Sequence, residues 1–246
     1  MIILVDNTVE GHIPASHYQL GTIDDVVKYC EDKKVLGVDT ETEGFDFTCK
    51  KMIMLQIGDK DTQFVIDTRI VDVEPLRDIL ESKDIVKIFH NAKFDYKFIK
   101  RWANIECEGI YDTFLTERIL NCGKDNVRYG LKDVCKKYLN VELNKEIRNQ
   151  FIGLIGQPFK EDQIVYGAKD VEYLIGVREH QLPLIEYNKL NKVVDLENEA
   201  VKAFADIEYN GLNLDTESWK EIEAVNMNNA NTLENELDEI LRHDVR

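Results

Sequence analysis

The chain has 246 residues, of which 43% are hydrophobic and 32% are charged, and its formal net charge at pH 7 is −16. This composition excludes a disordered or fibrous protein, and the length allows one large domain or one domain with an appendage. No apolar run reaches the roughly 18–20 residues of a membrane-spanning helix, and the first residues lack the features of a signal peptide. We therefore expect a cytoplasmic protein without a membrane partner.

The negative charge is concentrated at the C-terminal end of the chain. Residues 195–246 contain 14 acidic and 4 basic residues, whereas residues 93–148 contain 12 basic and 9 acidic residues. Net negative charge weakens binding to nucleic acid, because the phosphates are repelled. The basic middle of the chain is therefore where we expect any groove for a nucleic acid.

The predicted elements alternate between strands and helices along the chain. A short N-terminal strand and a helix over Ile23–Cys30 precede an apolar strand within residues 35–44. Met52–Gly58 and residues 62–67 are typical of a hairpin, and residues 85–89 of a buried strand. Helices then predominate, at residues 90–102, 112–121, 131–139 and from residue 164 onward. This order predicts a mixed sheet of about five strands flanked by helices, with the strand of residues 35–44 near its centre.

Two carboxylates, Asp39 and Glu41, lie two residues apart at the end of that central strand, in the sequence VLGVDTETEG. Side chains alternate across a strand, so both carboxylates point to the same face. Adjacent carboxylates resist ionisation unless a cation lies between them. Taken alone, the pair fits either a divalent metal site or a solvated strand end.

Two further motifs carry carboxylates. His90-Asn91-x-x-x-Asp95 lies where a buried strand passes into a helix, and Tyr166-x-x-x-Asp170 shares one face of a later helix. Each has a simpler interpretation when taken alone. Asn91 can cap its helix and Asp95 can favour the positive helix end, and Asp170 can be an exposed acid beside a half-buried tyrosine.

Together, the three motifs supply four carboxylates and one phenol. Four carboxylates do not share a pocket as bare anions. Two divalent cations about 4 Å apart would neutralise them and form a site for in-line phosphoryl displacement. Hard oxygen ligands favour Mg²⁺ or Mn²⁺, and the five cysteines form no Cys-x-x-Cys pair that would indicate zinc.

The order and content of these motifs resemble the DEDD superfamily of 3′-5′ exonucleases, whose three motifs appear here as GVDTETEG, FHNAKFD and YGAKD. Tyr166, where the sister group has a histidine, is typical of the DEDDy branch. The segments LQIGD, DTFLTERIL and GLKDVCKKYL are also similar to the family, so the resemblance covers nearly all of residues 20–185. It implies an α/β ribonuclease H-like fold with a mixed five-stranded sheet, and the release of 3′-terminal nucleotides as 5′-monophosphates.

The resemblance also implies a role for each of the five catalytic residues. Asp39, Glu41 and Asp170 would ligate the metal that binds the attacking water. Asp39 would also bridge to a second metal, which Asp95 would reach through water. Tyr166 would orient the attacking water, because an ordinary phenol has a pKa of about 10, too high for an efficient base at neutral pH.

Six further residues are predicted to contact nucleic acid: Thr42, Phe45, His90, Asn91, Lys93 and Arg148. The first two follow the carboxylate pair, where the family contacts the terminal nucleotide, and the phenylalanine is a candidate wedge or stacking group. The histidine and the asparagine are candidate contacts for the terminal sugar or base. The two basic residues could line a groove for the strand, although each also fits an ordinary solvated charge.

The C-terminal part resembles a different structure. Residues 197–215 are similar to the segment that joins the proofreading domain to the polymerase domain in family A DNA polymerases, and residues 216–241 to the helix that follows. We therefore expect a 3′-5′ exonuclease domain over residues 1–194 and, over residues 195–246, a helical extension that begins a truncated polymerase domain. A generic helix-turn-helix appendage is the alternative.

These resemblances predict a proofreading exonuclease for DNA replication in a bacterial cell or a phage-infected host. Its partners would be the single-stranded or frayed 3′ end of DNA and a polymerase domain in cis. Two alternatives stay open. Residues 145–174 also resemble ribonuclease D-type RNA exonucleases, and a non-catalytic ribonuclease H-like scaffold could bind single strands or a polymerase partner.

Overall fold

The computed structural model describes residues 1–6, 17–143, 146–154 and 156–244. The chain divides into a main unit, Met1–Tyr209, and a C-terminal unit, Asn210–Arg246. The strands of the main unit are β1 (Ile2–Val5), β2 (Gln19–Gly21), β3 (Val35–Thr42), β4 (Met52–Gly58), β5 (Gln63–Asp67), β6 (Val86–Phe89) and β7 (Ile110–Asp112).

The helices are α1 (Ile23–Cys30), α2 (Arg77–Leu80), α3 (Ala92–Ala103), α4 (Thr113–Leu120), α5 (Leu131–Leu139), α6 (Glu161–Glu172), α7 (Leu174–Tyr187), α8 (Asn191–Asn210) and α9 (Thr216–Asp244). Short 3₁₀ helices at Glu74–Leu76 and Glu146–Gln150 complete the set of described elements. The predicted elements of the exonuclease region are all present within a few residues of their expected ends, which confirms the periodicities read from the sequence.

The described strands form one mixed sheet in the order β2-β1-β5-β4-β3-β6-β7. β3 is antiparallel to β4 and parallel to β6, so the carboxylate strand lies inside the sheet, as expected. The predicted mixed α/β sheet with flanking helices is therefore confirmed, but the predicted number of five strands is wrong, because the described residues form seven. The N-terminal residues pair in parallel with β5 and cover an edge that would otherwise expose unpaired backbone groups.

Helices cover both faces of the sheet because the strands alternate between two apolar layers. On one face, Phe64 and Ile66 of β5 pack in a core with residues of α1 and α3. On the other face, Val65 of the same strand packs with Ile164 of α6. The two layers hold α3 and α6, the helices that carry the second and third motifs, against opposite faces of the strand that carries the first.

Two glycines let α6 approach the sheet closely. A Cβ atom added to Gly37 of β3 would lie 2.9 Å from the backbone oxygen of Val171, and one added to Gly167 would lie 2.7 Å from Nε2 of Gln56. Real Cβ atoms essentially never come this close to another heavy atom. The absence of a side chain at both positions therefore permits the observed helix-to-sheet spacing. That spacing places the Asp170 side of α6 over β3.

The main unit extends 15 residues beyond the predicted domain boundary at residue 194. Val201 and Ala205 of α8 are buried in the core, and Asp206 accepts a hydrogen bond from the Lys100 side chain at 2.8 Å. The change to acidic composition at residue 195 therefore marks no structural boundary, because α8 packs one side against the core while its acids are exposed or half-buried.

The C-terminal unit contains α9, a helix of 29 residues. Every side chain from residue 211 to residue 242 is exposed, including an apolar set of Trp219, Ile222, Val225, Leu233, Leu237 and Ile240. The predicted helical extension is thus present, although it begins later than expected. Among the described helices, none is both long enough and apolar enough to cross a membrane.

The Gly37 contact generates a stability prediction. We expect Gly37→Ala to lower the free energy of unfolding by about 1–3 kcal/mol, because the backbone of α6 has to move away from β3. Gly176→Ala is the matched control, since its new Cβ would meet only the Leu139 side chain at 3.2 Å. Urea denaturation followed by circular dichroism measures both, and equal midpoints for the two variants would contradict the proposed spacing role.

Candidate active site

Three carboxylates meet at the end of β3. One carboxylate oxygen from each of Asp39, Glu41 and Asp170 lies within 4.8 Å of the other two. Glu41 and Asp170 are buried, and Asp39 is half-buried. Three converging carboxylates would repel one another strongly if all were ionised, and they form the hard oxygen set that Mg²⁺ or Mn²⁺ prefers. The donor set therefore fits a divalent cation.

The fourth predicted carboxylate, Asp95, is held beside this cluster by a hydrogen-bonded link to β3. Its Oδ1 accepts a hydrogen bond from the backbone N–H of Thr40 at 3.1 Å and another from the Thr40 hydroxyl at 2.6 Å. Both residues are buried. Burial is the main cause that raises the pKa of the Asp95 carboxyl, and the net value is about 7 because the two bonds from Thr40 offset part of the rise. Thr40 thus connects the strand of the first motif to the helix of the second.

The start of α3 is positioned by Asp112, at the end of β7. The Asp112 carboxylate accepts the backbone N–H groups of Asn91 and Ala92, each at 2.9 Å. It also accepts the N–H of Phe114 at 2.9 Å and thereby caps α4. Asn91 occupies the N-cap position of α3, as its simpler interpretation expected, but its backbone is left-handed (φ 76°) and its side chain makes no capping hydrogen bond.

Sequence reasoning missed both Thr40 and Asp112. An aspartate directly before the helix TFLTERIL is a recognisable N-cap signal. Nothing in the spacing indicates that the same carboxylate also holds the start of α3, 20 residues earlier in the chain. Thr40 lies between two catalytic candidates, but its contact with Asp95 exists only after α3 packs on the sheet.

Tyr166 is buried on α6, and its ring contacts that of Phe151 with 6.0 Å between centroids. Burial raises the pKa of the phenol well above its ordinary value, and the negative charges of Asp170 and Glu41 raise it further. The phenol therefore keeps its proton at neutral pH. It can donate a hydrogen bond, but it is a poor acceptor for a proton from water.

A cavity of about 510 Å³ contains nearly all the predicted residues. It is lined by the five predicted catalytic residues, Asp39, Glu41, Asp95, Tyr166 and Asp170, and by the predicted nucleic-acid contacts Thr42, Phe45, His90, Asn91 and Arg148. The three sequence motifs, which are far apart in the chain, thus share one open site. Their individual roles in binding and catalysis stay predictions.

Lys93 is the exception, because it lies outside the residues that line the cavity. Its ammonium group forms an ion pair with Glu208 of α8, and Lys97 pairs with the same carboxylate at 2.5 Å. Residues four apart share one side of a helix, so this side of α3 faces α8 while Asp95 faces the cavity. The prediction that Lys93 contacts nucleic acid is therefore not carried further.

Several residues that the sequence did not single out also line the cavity. They are Thr40, Gly44, Phe94, Phe114, Gly130, Leu131, Lys132, Asp133, Asn149 and Ile152. Most come from the start of α4, the start of α5 with the glycine before it, and the segment around Glu146–Gln150. The segments DTFLTERIL and GLKDVCKKYL resemble the family, but their sequences do not indicate which side chains reach the carboxylates.

Comparison with known proteins identifies the family. The family described as 3′-5′ exonuclease has a model that matches residues 17–186. Human "Exosome complex component 10" is 26% identical over 166 residues, which cover 67% of this chain and 18% of that protein. "Ribonuclease D" of Bartonella henselae is 27% identical over 147 residues, which cover 59% of this chain and 35% of that protein. The chain thus matches only a minor part of the length of these curated relatives.

Solved structures share the fold. Brucella melitensis NrnC with bound pGG superposes with a TM-score of 0.68, at 20% identity, over 85% of this chain and 93% of that chain. The same protein with bound Mg²⁺ superposes with a TM-score of 0.66. At this identity the similarity establishes the fold alone. Because the family match covers more than half of the sequence, and the DEDD motifs meet in one cavity of a ribonuclease H-like fold, the chain belongs to the 3′-5′ exonuclease family.

Proposed function

We propose that this chain is a metal-dependent exonuclease that removes 3′-terminal nucleotides, as 5′-monophosphates, from single-stranded RNA. The observation that carries the proposal is the meeting of Asp39, Glu41 and Asp170 within 4.8 Å, in a cavity also lined by Asp95 and Tyr166. Family membership supports the exonuclease reaction and the use of divalent cations. Beyond family membership, we propose the number of cations, the identity of the metal and RNA as the substrate.

Two divalent cations, Mg²⁺ or Mn²⁺, would be held by the four carboxylates. Asp39, Glu41 and Asp170 would hold one, and Asp39 and Asp95 would hold the other. When bound, such cations lower the pKa of water and stabilise the charge that develops on a phosphate during hydrolysis. The open cavity and the oxygen-only donor set are suited to this chemistry.

The protein's own groups position the reactants. Tyr166, with its proton retained by burial and by the neighbouring carboxylates, would donate a hydrogen bond that orients the attacking water. Thr42 and Phe45 lie directly after the carboxylate pair, and His90 and Asn91 lie at the opening of α3. Since these four residues line the cavity beside the carboxylates, we assign them to the terminal nucleotide.

The choice of RNA rests on the relatives. One curated relative is named as a component of the exosome complex and another as ribonuclease D, which favours the ribonuclease D-like alternative over DNA proofreading. The curated comparisons give no support to a polymerase domain in cis or to a role in DNA replication. Residues 197–215 suggested a polymerase linker, and for the helical part of this segment there is a local explanation: Val201 and Ala205 pack in the core of the main unit.

The substrate proposal is tested with 5′-labelled single-stranded RNA and DNA of the same sequence, incubated with Mg²⁺ or Mn²⁺. We expect ladders that shorten from the 3′ end, at least about tenfold faster on RNA. Asp39→Asn should lower kcat by about a thousandfold or more while the protein stays folded. Asp84→Asn, an exposed carboxylate in a turn, is the matched control and should retain full activity.

Each other outcome selects a different function. Faster shortening of DNA would restore the proofreading interpretation. Tight binding of either strand without cleavage, in the presence of both metals, would support the non-catalytic scaffold. Full activity of Asp39→Asn would overturn the site assignment itself.

Thr40 generates a separate prediction. Thr40→Val keeps the shape of the side chain but removes the hydroxyl that donates to Asp95, so kcat should fall by about 10–100-fold, as for other residues that orient metal ligands. Thr40→Ser, which keeps the hydroxyl, should restore kcat to within about threefold. The measurement is kcat at saturating RNA across a Mg²⁺ titration.

Thr68→Val serves as the control for a lost hydroxyl. The Thr68 hydroxyl donates to the backbone oxygen of Met52 at 2.8 Å, away from the cavity, so this variant should lose stability without losing kcat. If Thr40→Val behaved like Thr68→Val, Thr40 would be a structural residue only.

A further inference from the structure

Arg69 lies two residues beyond the end of β5, and its guanidinium group is held by hydrogen bonds on two sides. Its Nε and Nη2 atoms donate to the two carboxylate oxygens of Asp67, at 2.8 and 2.6 Å. Its Nη1 atom donates to the backbone oxygen of Gln157 at 2.7 Å. Only 15% of the Arg69 side chain and 5% of the Asp67 side chain are exposed. The planar fork of the guanidinium group thus joins the end of β5 to the segment that precedes α6.

A series of aromatic rings leads from this guanidinium group to Tyr166. The guanidinium carbon of Arg69 lies 4.1 Å from the ring centroid of Phe159, within the range of a cation–π contact. The Phe159 ring is 6.3 Å from that of Phe151, which is 6.0 Å from that of Tyr166. All three rings are buried in one core. We call Arg69, Phe159 and Phe151 the tyrosine support.

The residue that holds the tyrosine support is in register with a predicted metal ligand. Asp67 of β5 pairs with Met54 of β4, and Met54 pairs with Glu41 of β3. Residues directly opposite one another in antiparallel strands project from the same face of the sheet. Met54 also lies in the core that contains Tyr166. Glu41 and the tyrosine support are therefore both attached to one row of the sheet, which relates the position of Tyr166 to that of the carboxylates.

The segment that carries Phe151 depends on side-chain contacts for its position. The described residues from Phe151 to Phe159 form no helix or strand, so no backbone ladder fixes the first ring. The segment is attached through Gly153, whose N–H donates to the backbone oxygen of Glu43 at 3.2 Å, and through Arg69. Loss of the Arg69 contacts would therefore allow Phe151 to move, and with it the ring that packs against it.

We propose that Arg69 is a positioning residue for Tyr166: through the two phenylalanines, it holds the phenol where the phenol orients the attacking water. Arg69 is not among the described residues that line the carboxylate cavity, so it acts through other residues. The inference rests on the proposed function, which gives Tyr166 its hydrogen bond to water. A displaced orienting group slows the reaction without weakening substrate binding, so the effect is expected in kcat rather than in KM.

Arg69→Lys separates the position of this side chain from its charge. It keeps a positive charge for Asp67, and this matters because removing one partner of a buried ion pair is strongly destabilising. It loses the planar fork that also reaches Gln157. It also loses the flat face that lies on Phe159, since an ammonium group has neither feature.

Kinetics in two backgrounds test the proposal. We expect Arg69→Lys to lower kcat on 5′-labelled single-stranded RNA by about 10-fold, with KM within about twofold of the wild-type value. Tyr166→Phe lacks the hydroxyl that is positioned. In that background, adding Arg69→Lys should change kcat by less than about twofold, because the two residues act on one step.

Arg77→Lys is the matched control. The Arg77 guanidinium also donates through Nε and Nη2 to one carboxylate, that of Glu74, with both bonds at 2.7 Å, and within the described part of the chain it lies over no aromatic ring. This variant should retain the wild-type kcat.

Phe159→Leu tests the same series of contacts at the ring, and it replaces Arg69→Lys if that variant proves unfolded by circular dichroism. It should lower kcat in the wild type but not in Tyr166→Phe. Phe64→Leu, which removes a buried ring on the opposite face of the sheet, should lose stability without losing kcat.

A fluorine label follows the tyrosine without cleavage. In protein that contains 3-fluorotyrosine, the ¹⁹F NMR line of Tyr166 is the line that disappears in Tyr166→Phe. We expect this line to shift and broaden in Arg69→Lys, because the ring loses its fixed surroundings. It should stay in place in Arg77→Lys.

Three results would overturn the positioning role. An unchanged kcat in Arg69→Lys would show that the tyrosine needs no such support. An equal fall of kcat in both backgrounds would show that Arg69 does not act through Tyr166, and a change confined to KM would assign it to substrate binding. Failure of the proposed exonuclease function is distinguishable, because the wild type would then show no 3′ shortening in Mg²⁺ or Mn²⁺ while the ¹⁹F line still responds to Arg69→Lys.

Discussion

The candidate site of the main unit depends on one constraint, which is that carboxylate oxygens of Asp39, Glu41 and Asp170 lie within 4.8 Å of one another. Like charges at this separation oppose one another, so the arrangement has to be maintained by the packing around it. Two of the three carboxylates lie on a strand whose neighbours on both sides pair with it along the sheet. The third comes from α6, which lies close to β3 at Gly37 and close to β4 at Gly167, where neither glycine has a side chain to separate helix and sheet. Backbone packing therefore sets the carboxylate spacing.

Hydrogen bonds then place the remaining groups around this cluster. Thr40 fixes one oxygen of Asp95, and Asp112 fixes the backbone from which α3 starts. Both contacts are buried, where a hydrogen bond to a carboxylate is stronger and the loss of one partner costs more than at the surface. A rigid frame of this kind suits a site whose chemistry depends on orientation more than on a reactive side chain.

The same packing explains why five of the six predicted nucleic-acid contacts line the cavity and Lys93 does not. The Lys93 side of α3 is neutralised by the acids of α8, so the basic middle of the sequence is not uniformly available to a strand. The aromatic and cationic residues at the start of α4 and α5 lie at the cavity instead. The acidic C-terminal segment that weakened a nucleic-acid prediction is in part an internal counter-charge, which reconciles a net charge of −16 with membership of a nuclease family.

By itself, the sequence predicted the mixed α/β fold class and the carboxylates that meet at the candidate site, because short-range periodicity places strands, helices and the faces of their side chains. Alternation places Asp39 and Glu41 on one face of a strand, and the helical repeat places Tyr166 and Asp170 on one face of a helix. The order of the three motifs in the sequence also predicted the exonuclease family. Strand β2, the length of the main unit and the partner of Lys93 were decided only by the tertiary structure. The same is true of Thr40, Asp112 and Phe114, whose contacts join segments 20 or more residues apart. Such contacts leave no local pattern, because they form only when separate helices and strands pack together.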